Sequence, residues 1–170
     1  ALLPGLEVRF AGALDKVAYI TAAVSDDYFI IGFIPQVYDS PRDITAEILS
    51  WEDGPYRYVQ QLAGMANYVL NDIIPQDARA EPEDVAWVHY YRGMAYLLLG
   101  ENFSFAPVEE DGEPVSSEEL LGLAIADLDQ ARSAGGTVAL AATAALARCH
   151  RWRGDRASAT SAAHQVLGNS

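Results

Sequence analysis

Apolar residues step by three and four along almost the whole chain, and this period constrains the fold more than any other feature. Leu6, Phe10, Ala13, Val17, Ile20 and Val24 form one such stripe, ending at Ser25-Asp26-Asp27. Asp53-Gly54-Pro55 opens a second helix, because proline suits a first turn whose N–H groups have no intrahelical acceptor. Its inner face reads Tyr58, Leu62, Met65, Val69 and Ile73, and Pro75 stops it. Pro82 starts a third, with Glu81, Glu83 and Asp84 at the positive end of the helix dipole. Trp87, Tyr91, Met94 and Leu98 form that stripe, and Gly100 is expected as a left-handed cap. Ser116 and Glu119 have capping-box spacing ahead of a fourth helix through Leu121, Ile125 and Leu128 to about Arg132. Gly135-Gly136 separates it from a fifth, which turns Val138, Ala142, Ala145, Cys149 and Trp152 inward. Gly154 ends that helix, and Asp155 caps a sixth with Ala159, Ala163 and Val166 on its inner face. Only DYFIIGFIPQVYDSPRDI breaks the period, and Pro35 and Pro41 deny it a helix interior.

The expected fold is therefore all-α: an array of helical hairpins in one domain over residues 1–170, with one irregular loop near residues 25–50. The last helices look repetitive. SEELLGLAIADLDQA and DRASATSAAHQVL hold like positions after a loop, and RGMAYLLLG and LARCHRWRG place glycine alike. Their separation is close to the tetratricopeptide period of about 34 residues. Such a unit cannot bury its apolar face alone and must stack on its neighbours.

Net charge is −13, and ten of the eleven basic residues are arginine. This balance repels nucleic-acid phosphates, so no nucleic-acid partner is expected. A high-salt habitat and ordinary solubility both favour it. No apolar run approaches the roughly 20 residues of a membrane span. His89, His150 and His164 lack metal-ligand spacing with one another or with Cys149. No nucleophile elbow or phosphate loop is present. Cys149, among Ala, Leu and Trp, reads as a small core residue. Asp26-Asp27 reads as a helix terminus. Arg153-Gly154-Asp155 spells an integrin-type tripeptide but reads better as a turn and a cap. Asn102-Phe103-Ser104 is a candidate glycosylation acceptor at Asn102. No cofactor and no enzymatic constellation are expected.

GENFSFAPVEEDGEPVSSEELL, residues 100–121, holds seven carboxylates and no basic residue. Carboxylates suit Ca²⁺, a weak alternative here, since EEDGEP lacks the alternating ligand spacing of an EF-hand loop. The leading reading is a solvated connector between two helices, and protein contact is the functional reading beside it. Glu109, Glu110, Asp111 and Glu113 form the acidic face, and Arg148, Arg151, Arg153 and Arg156 a basic flank toward the other end. Pairing one face with the other on the next copy would give a head-to-tail homo-oligomer, a ring or a filament.

The order of motifs resembles the SusD/RagB family of surface glycan-uptake proteins. The likeness lies in SDDYF, in WEDGPYRYVQQLAGMANYVLNDI, in YYRGMAYLLLGENFSFAPV, in ELLGLAIADLDQA and in ALARCHRWRGDRASATSAAHQVL, five segments in the family's order. The resemblance implies a tetratricopeptide-like helical part that docks on a TonB-dependent transporter, a cell-surface location and no catalysis. It departs from the family in two ways. The family's further, glycan-holding region is not among these residues, and no Cys near the start offers its lipid-anchor point. The chain opens ALLPGL without Met, and removal of a secretory leader is the expectation that goes with export. The expected function is a non-enzymatic extracellular or cell-surface helical scaffold that works by protein contact, with itself or with a surface protein. The alternative is a SusD-like glycan-binding accessory protein of an outer-membrane uptake system.

Overall fold

A computed structural model describes residues 3–24, 54–109 and 111–168. The irregular loop expected near 25–50, Asp26-Asp27 and Glu110 lie outside these residues. Within them the chain is all-α but for one small hairpin. Six α-helices are described: α1 (Leu3–Val24), α2 (Pro55–Tyr68), α3 (Pro82–Asn102), α4 (Ser117–Ser133), α5 (Gly136–Trp152) and α6 (Arg156–Gly168). Each packs on the next described in chain order, and α3 also meets α1 and α5.

Pro55 stands in the first turn of α2 and Pro82 in that of α3, as their missing N–H groups allow. The stripe of α2 is rotated from its expected position. Val59, Leu62, Ala63, Ala66 and Val69 are buried, and Tyr58 and Met65 flank them, reaching Gly12 and Gly5 of α1. After Tyr68 the helix widens into a π-turn over Val69–Ile73 and tightens to a 3₁₀ turn over Ile74–Gln76, with Pro75 inside it. Phe10 of α1 sits with its ring centre 5.4 Å from that of Tyr91, within an aromatic cluster of Trp87, Tyr90 and Tyr91 that joins α1 to α3.

Gly100 is not a left-handed cap. It lies buried inside α3, which runs on to Asn102, and a Cβ there would stand 2.9 Å from Cγ of Leu121. Gly93, two turns earlier, would meet Cγ of Leu128 at 2.8 Å. Gly93 and Gly100 thus form two notches on α3 that receive Leu128 and Leu121 of α4. Seven residues separate the members of each pair, so the two helices interlock in register.

The capping box at the start of α4 is present, with Ser116 and Glu119 bonded reciprocally. Gly135 and Gly136 take positive φ between α4 and α5. Val138, Ala142, Ala145 and Cys149 are buried on α5, but Trp152 is not: it is 51% exposed at the helix end. On α6 only Ala162 is buried, with Ala159 and Val166 partly so, and Ala163 is exposed. The last helix has one side against α5 and the other open.

Candidate functional site

The acidic segment is anchored at both ends, and its described carboxylates Glu109, Asp111 and Glu113 are exposed. Phe105–Ala106 (β1) pairs antiparallel with Val115–Ser116 (β2), in register Phe105 to Ser116 and Ala106 to Val115. Two amides of α2 hold the chain beyond β1. Gln60 donates to the carbonyl of Pro107 at 3.1 Å, and Asn67 to that of Val108 at 2.9 Å. Glu109 and Asp111 then border an open groove of about 790 Å³ along α2, which Tyr68 and Asn71 also line. Asp111 adopts φ +60, a left-handed conformation that Asp tolerates through its short polar side chain. Glu113 is exposed. Among the described residues no three His, Cys, Asp or Glu side chains gather closely enough to hold a metal ion.

Behind this segment lies a polar network in which Asp127 is buried and His89 and Arg92 are partly so. Arg92 of α3 grips Asp127 of α4 with two bonds of 2.7 Å, from Nε to Oδ2 and from Nη2 to Oδ1. His89 Nδ1 stands 2.8 Å from the same Oδ1, and since a carboxylate only accepts, this nitrogen carries the proton. Arg92 also donates from Nη1 to Oδ1 of Asn67 at 3.1 Å, and Tyr96 Oη donates to that oxygen at 3.2 Å. The network therefore runs from α4 through α3 and α2 to the carbonyl of Val108. Burial alone would raise the Asp127 carboxyl, but the bonds from His89 and Arg92 outweigh it and hold the group below its ordinary value. Burial raises the Tyr96 hydroxyl, so it stays a neutral donor. Every member is satisfied by its neighbours, which suits a positioning role for the hairpin.

Sequence reasoning did not reach this network. A signal was available: Leu120, Ala124, Asp127 and Ala131 share one helical face, so a carboxylate stands within a buried apolar stripe. His89, Arg92 and Tyr96 likewise fall three and four apart on α3. A carboxylate on a buried helical face asks for a partner.

The arginine flank divides into committed and open members. Arg148 binds Glu101 through Nε and Nη2, and the Glu101 side chain is only 3% exposed. Arg148 thus ties α5 to α3, while its own side chain stays 43% exposed on the groove it shares with Arg151 and Arg156. Arg153 lies 4.0 Å from Glu118. Arg151 and Arg156 border a groove of about 650 Å³ between α5 and α6, and neither has a carboxylate partner among the described residues. Asp155 accepts from the Ser158 N–H at 3.0 Å, and Gly154 takes φ +75. The Arg-Gly-Asp tripeptide is thus a turn and an N-cap.

Asn102 closes α3 and donates its amide to the carbonyl of Leu98 at 2.8 Å. Cys149 is buried, and burial, with Glu101 nearby, pushes its thiol up to about 12. A thiol so held is protonated and unreactive. Among the described residues no helix is long and apolar enough to cross a membrane. Comparison of the chain with protein-family models, with curated proteins and with solved structures finds no match.

Proposed function

We propose that this chain is a non-enzymatic, tetratricopeptide-like helical scaffold, exported to the cell surface or beyond, that acts by contact with other proteins, copies of itself included. One observation carries the reading. In a chain of net charge −13, Arg151 and Arg156 line one open groove, and neither has a carboxylate partner among the described residues. Unpaired guanidinium groups on a shallow surface are suited to a partner's carboxylates, and Arg is enriched where interfaces gain their energy. Glu109, Asp111 and Glu113 offer the complementary charge on the hairpin. Opposed patches of this kind speed encounter and select orientation.

Sedimentation velocity over a range of protein and salt concentrations tests it. Association that grows with concentration and weakens with salt is the expected result. A monomer at high concentration, unmoved by salt, together with no bound partner in surface extracts, would overturn it.

A second reading, a SusD-like glycan-binding accessory protein, draws on the groove along α2. Tyr68 is 56% exposed there, beside the amides of Gln61 and Asn71. An aromatic face with neighbouring amide donors and acceptors suits a sugar ring. The residues Asn67, Arg92, Tyr96 and Asp127, which come from three of the segments that resemble the family, also meet in one network. Calorimetric titration with soluble polysaccharides, repeated with Tyr68→Ala, tests this reading. Binding that Tyr68→Ala weakens supports it, and no heat with any polysaccharide removes it.

A further inference from the structure

Trp152 is the most conspicuous side chain that the fold leaves uncovered. It ends α5, half in solvent, with Arg151 before it and Arg153 after it. Successive residues on a helix point about 100° apart, so the two guanidinium groups straddle the indole without covering it. An exposed Trp between two arginines has the composition of an interface anchor.

At the start of the array a cavity of about 240 Å³ has the matching chemistry. Leu3 of α1, Ile73 of the π-turn, and Val85 and Val88 of α3 form apolar walls. Asp77 and Asp84 stand at its edge, both exposed. Residues 72–84 carry Asp72, Asp77, Glu81, Glu83 and Asp84 against the single Arg79, so the rim is strongly negative. A cavity of about 150 Å³ is enough to hold benzene, which leaves room here for a two-ring indole. Asp77 spends one oxygen on the Arg79 N–H at 3.0 Å and retains the other for an incoming donor.

We propose that Trp152 of one copy seats in this cavity of the next, with Arg151 and Arg153 meeting Asp77 and Asp84 at its rim. The inference rests on the self-association reading and names its anchor and its socket. Knob and socket belong to different elements of the chain, the α5–α6 turn and the α1–α3 end. Used once between two copies, the contact is heterologous and propagates unless a rotation closes it into a ring, whereas used reciprocally it closes a two-fold dimer. It also relocates the acidic half of the contact from the hairpin at Glu109 and Asp111 to the start of α3.

Two exposed substitutions test the proposal in the full chain by sedimentation velocity. Trp152→Ala removes the knob and Asp84→Arg reverses the rim. Each alone is expected to weaken self-association at least tenfold, while circular dichroism stays that of the parent. Mixed in equal amounts, the two variants are expected to form a dimer and nothing larger, since one good knob and one good socket remain between them. If the parent associates and Trp152→Ala associates equally well, the socket assignment is wrong. If association is instead lost with Glu109→Gln and Asp111→Asn, the self-association reading stands without it. If both single variants are monomeric and their mixture stays monomeric, the knob-and-socket pairing also fails. A parent that never associates overturns the inference and the self-association reading together.

Discussion

The pair α3–α4 and the pair α5–α6 are built from similar helices and end up in opposite conditions. At the centre, α3 has neighbours on several sides: α1, α2, α4 and α5. Its glycines admit leucines of α4, and its arginine is wholly taken up by Asp127 and Asn67. At the end, α6 buries only Ala162 among its residues, and the turn before it presents Trp152, Arg151 and Arg156 to solvent. The difference teaches where an array of hairpins stores stability and where it can do work. A helix with neighbours on several sides keeps little surface beyond its ends, as the exposed first turn of α3 shows. A helix with one neighbour keeps its outer face, and whatever chemistry stands there meets a partner or water.

The sharpest way to break this contrast is at Asp127. Asp127→Ala is expected to cost about 3 kcal/mol in urea unfolding, because it leaves the largely but not fully buried Arg92 without its carboxylate. Replacing both charges, with Arg92→Met and Asp127→Leu, is expected to cost less than the single change. A loss under about 1 kcal/mol for Asp127→Ala would mean that the centre does not depend on its network.

Acid should act through the same group. The Asp127 carboxyl is held below its ordinary value in the folded chain. Its contribution is therefore complete above the unfolded value of about 3.9 and disappears as pH falls through the lower folded one. Denaturation midpoints measured downward from pH 5 should fall for the parent. The double apolar variant should lose less over the same window.

Next in size come the glycines. Gly93→Ala and Gly100→Ala are each expected to destabilise by about 1–3 kcal/mol, since each new methyl meets a leucine of α4 below 3.0 Å. Gly122 of α4 faces open space, and Gly122→Ala is expected to stabilise by up to about 1 kcal/mol through helix propensity. Equal effects at all three positions, read from thermal or urea midpoints, would show that the notches are not close contacts.

The smallest effect is local. Asp155→Ala removes the side-chain acceptor for the Ser158 N–H. Amide exchange should quicken in the first turn of α6 and stay unchanged in α3, because the end helix opens without the centre. Faster exchange across both would mean that the two regions unfold as one unit.

The helices and most of their ends were legible because their signals are local. Proline in a first turn, the Ser116–Glu119 box, and glycine at 135, 136 and 154 act through backbone geometry within a few residues. Other features were legible only in outline. The inner faces of α2 and α6 are rotated from the expected stripes, since Ala counts equally on any face until a neighbour chooses one. Gly100 reads as a cap in the sequence, where a glycine near a helix end signals left-handed backbone, yet its use is to admit Leu121. Arg148 reads as part of a basic surface, and only the tertiary structure shows that it is also paired with Glu101 on another helix.

By itself, then, the sequence determined an all-α chain, the starts and turns of its helices, and an excess of negative charge. Each of these depends on spacing or on summed charge, which need no tertiary contact. Only the tertiary structure decided which polar groups are spent inside and which remain outside. Asp127 and Arg92 lie 35 residues apart and satisfy each other. Trp152 counts as core by its spacing and is exposed because no further described helix covers the end of α5. Burial is a property of pairs of elements, and a periodic stripe records that a helix has an inner face without recording whether anything stands against all of it.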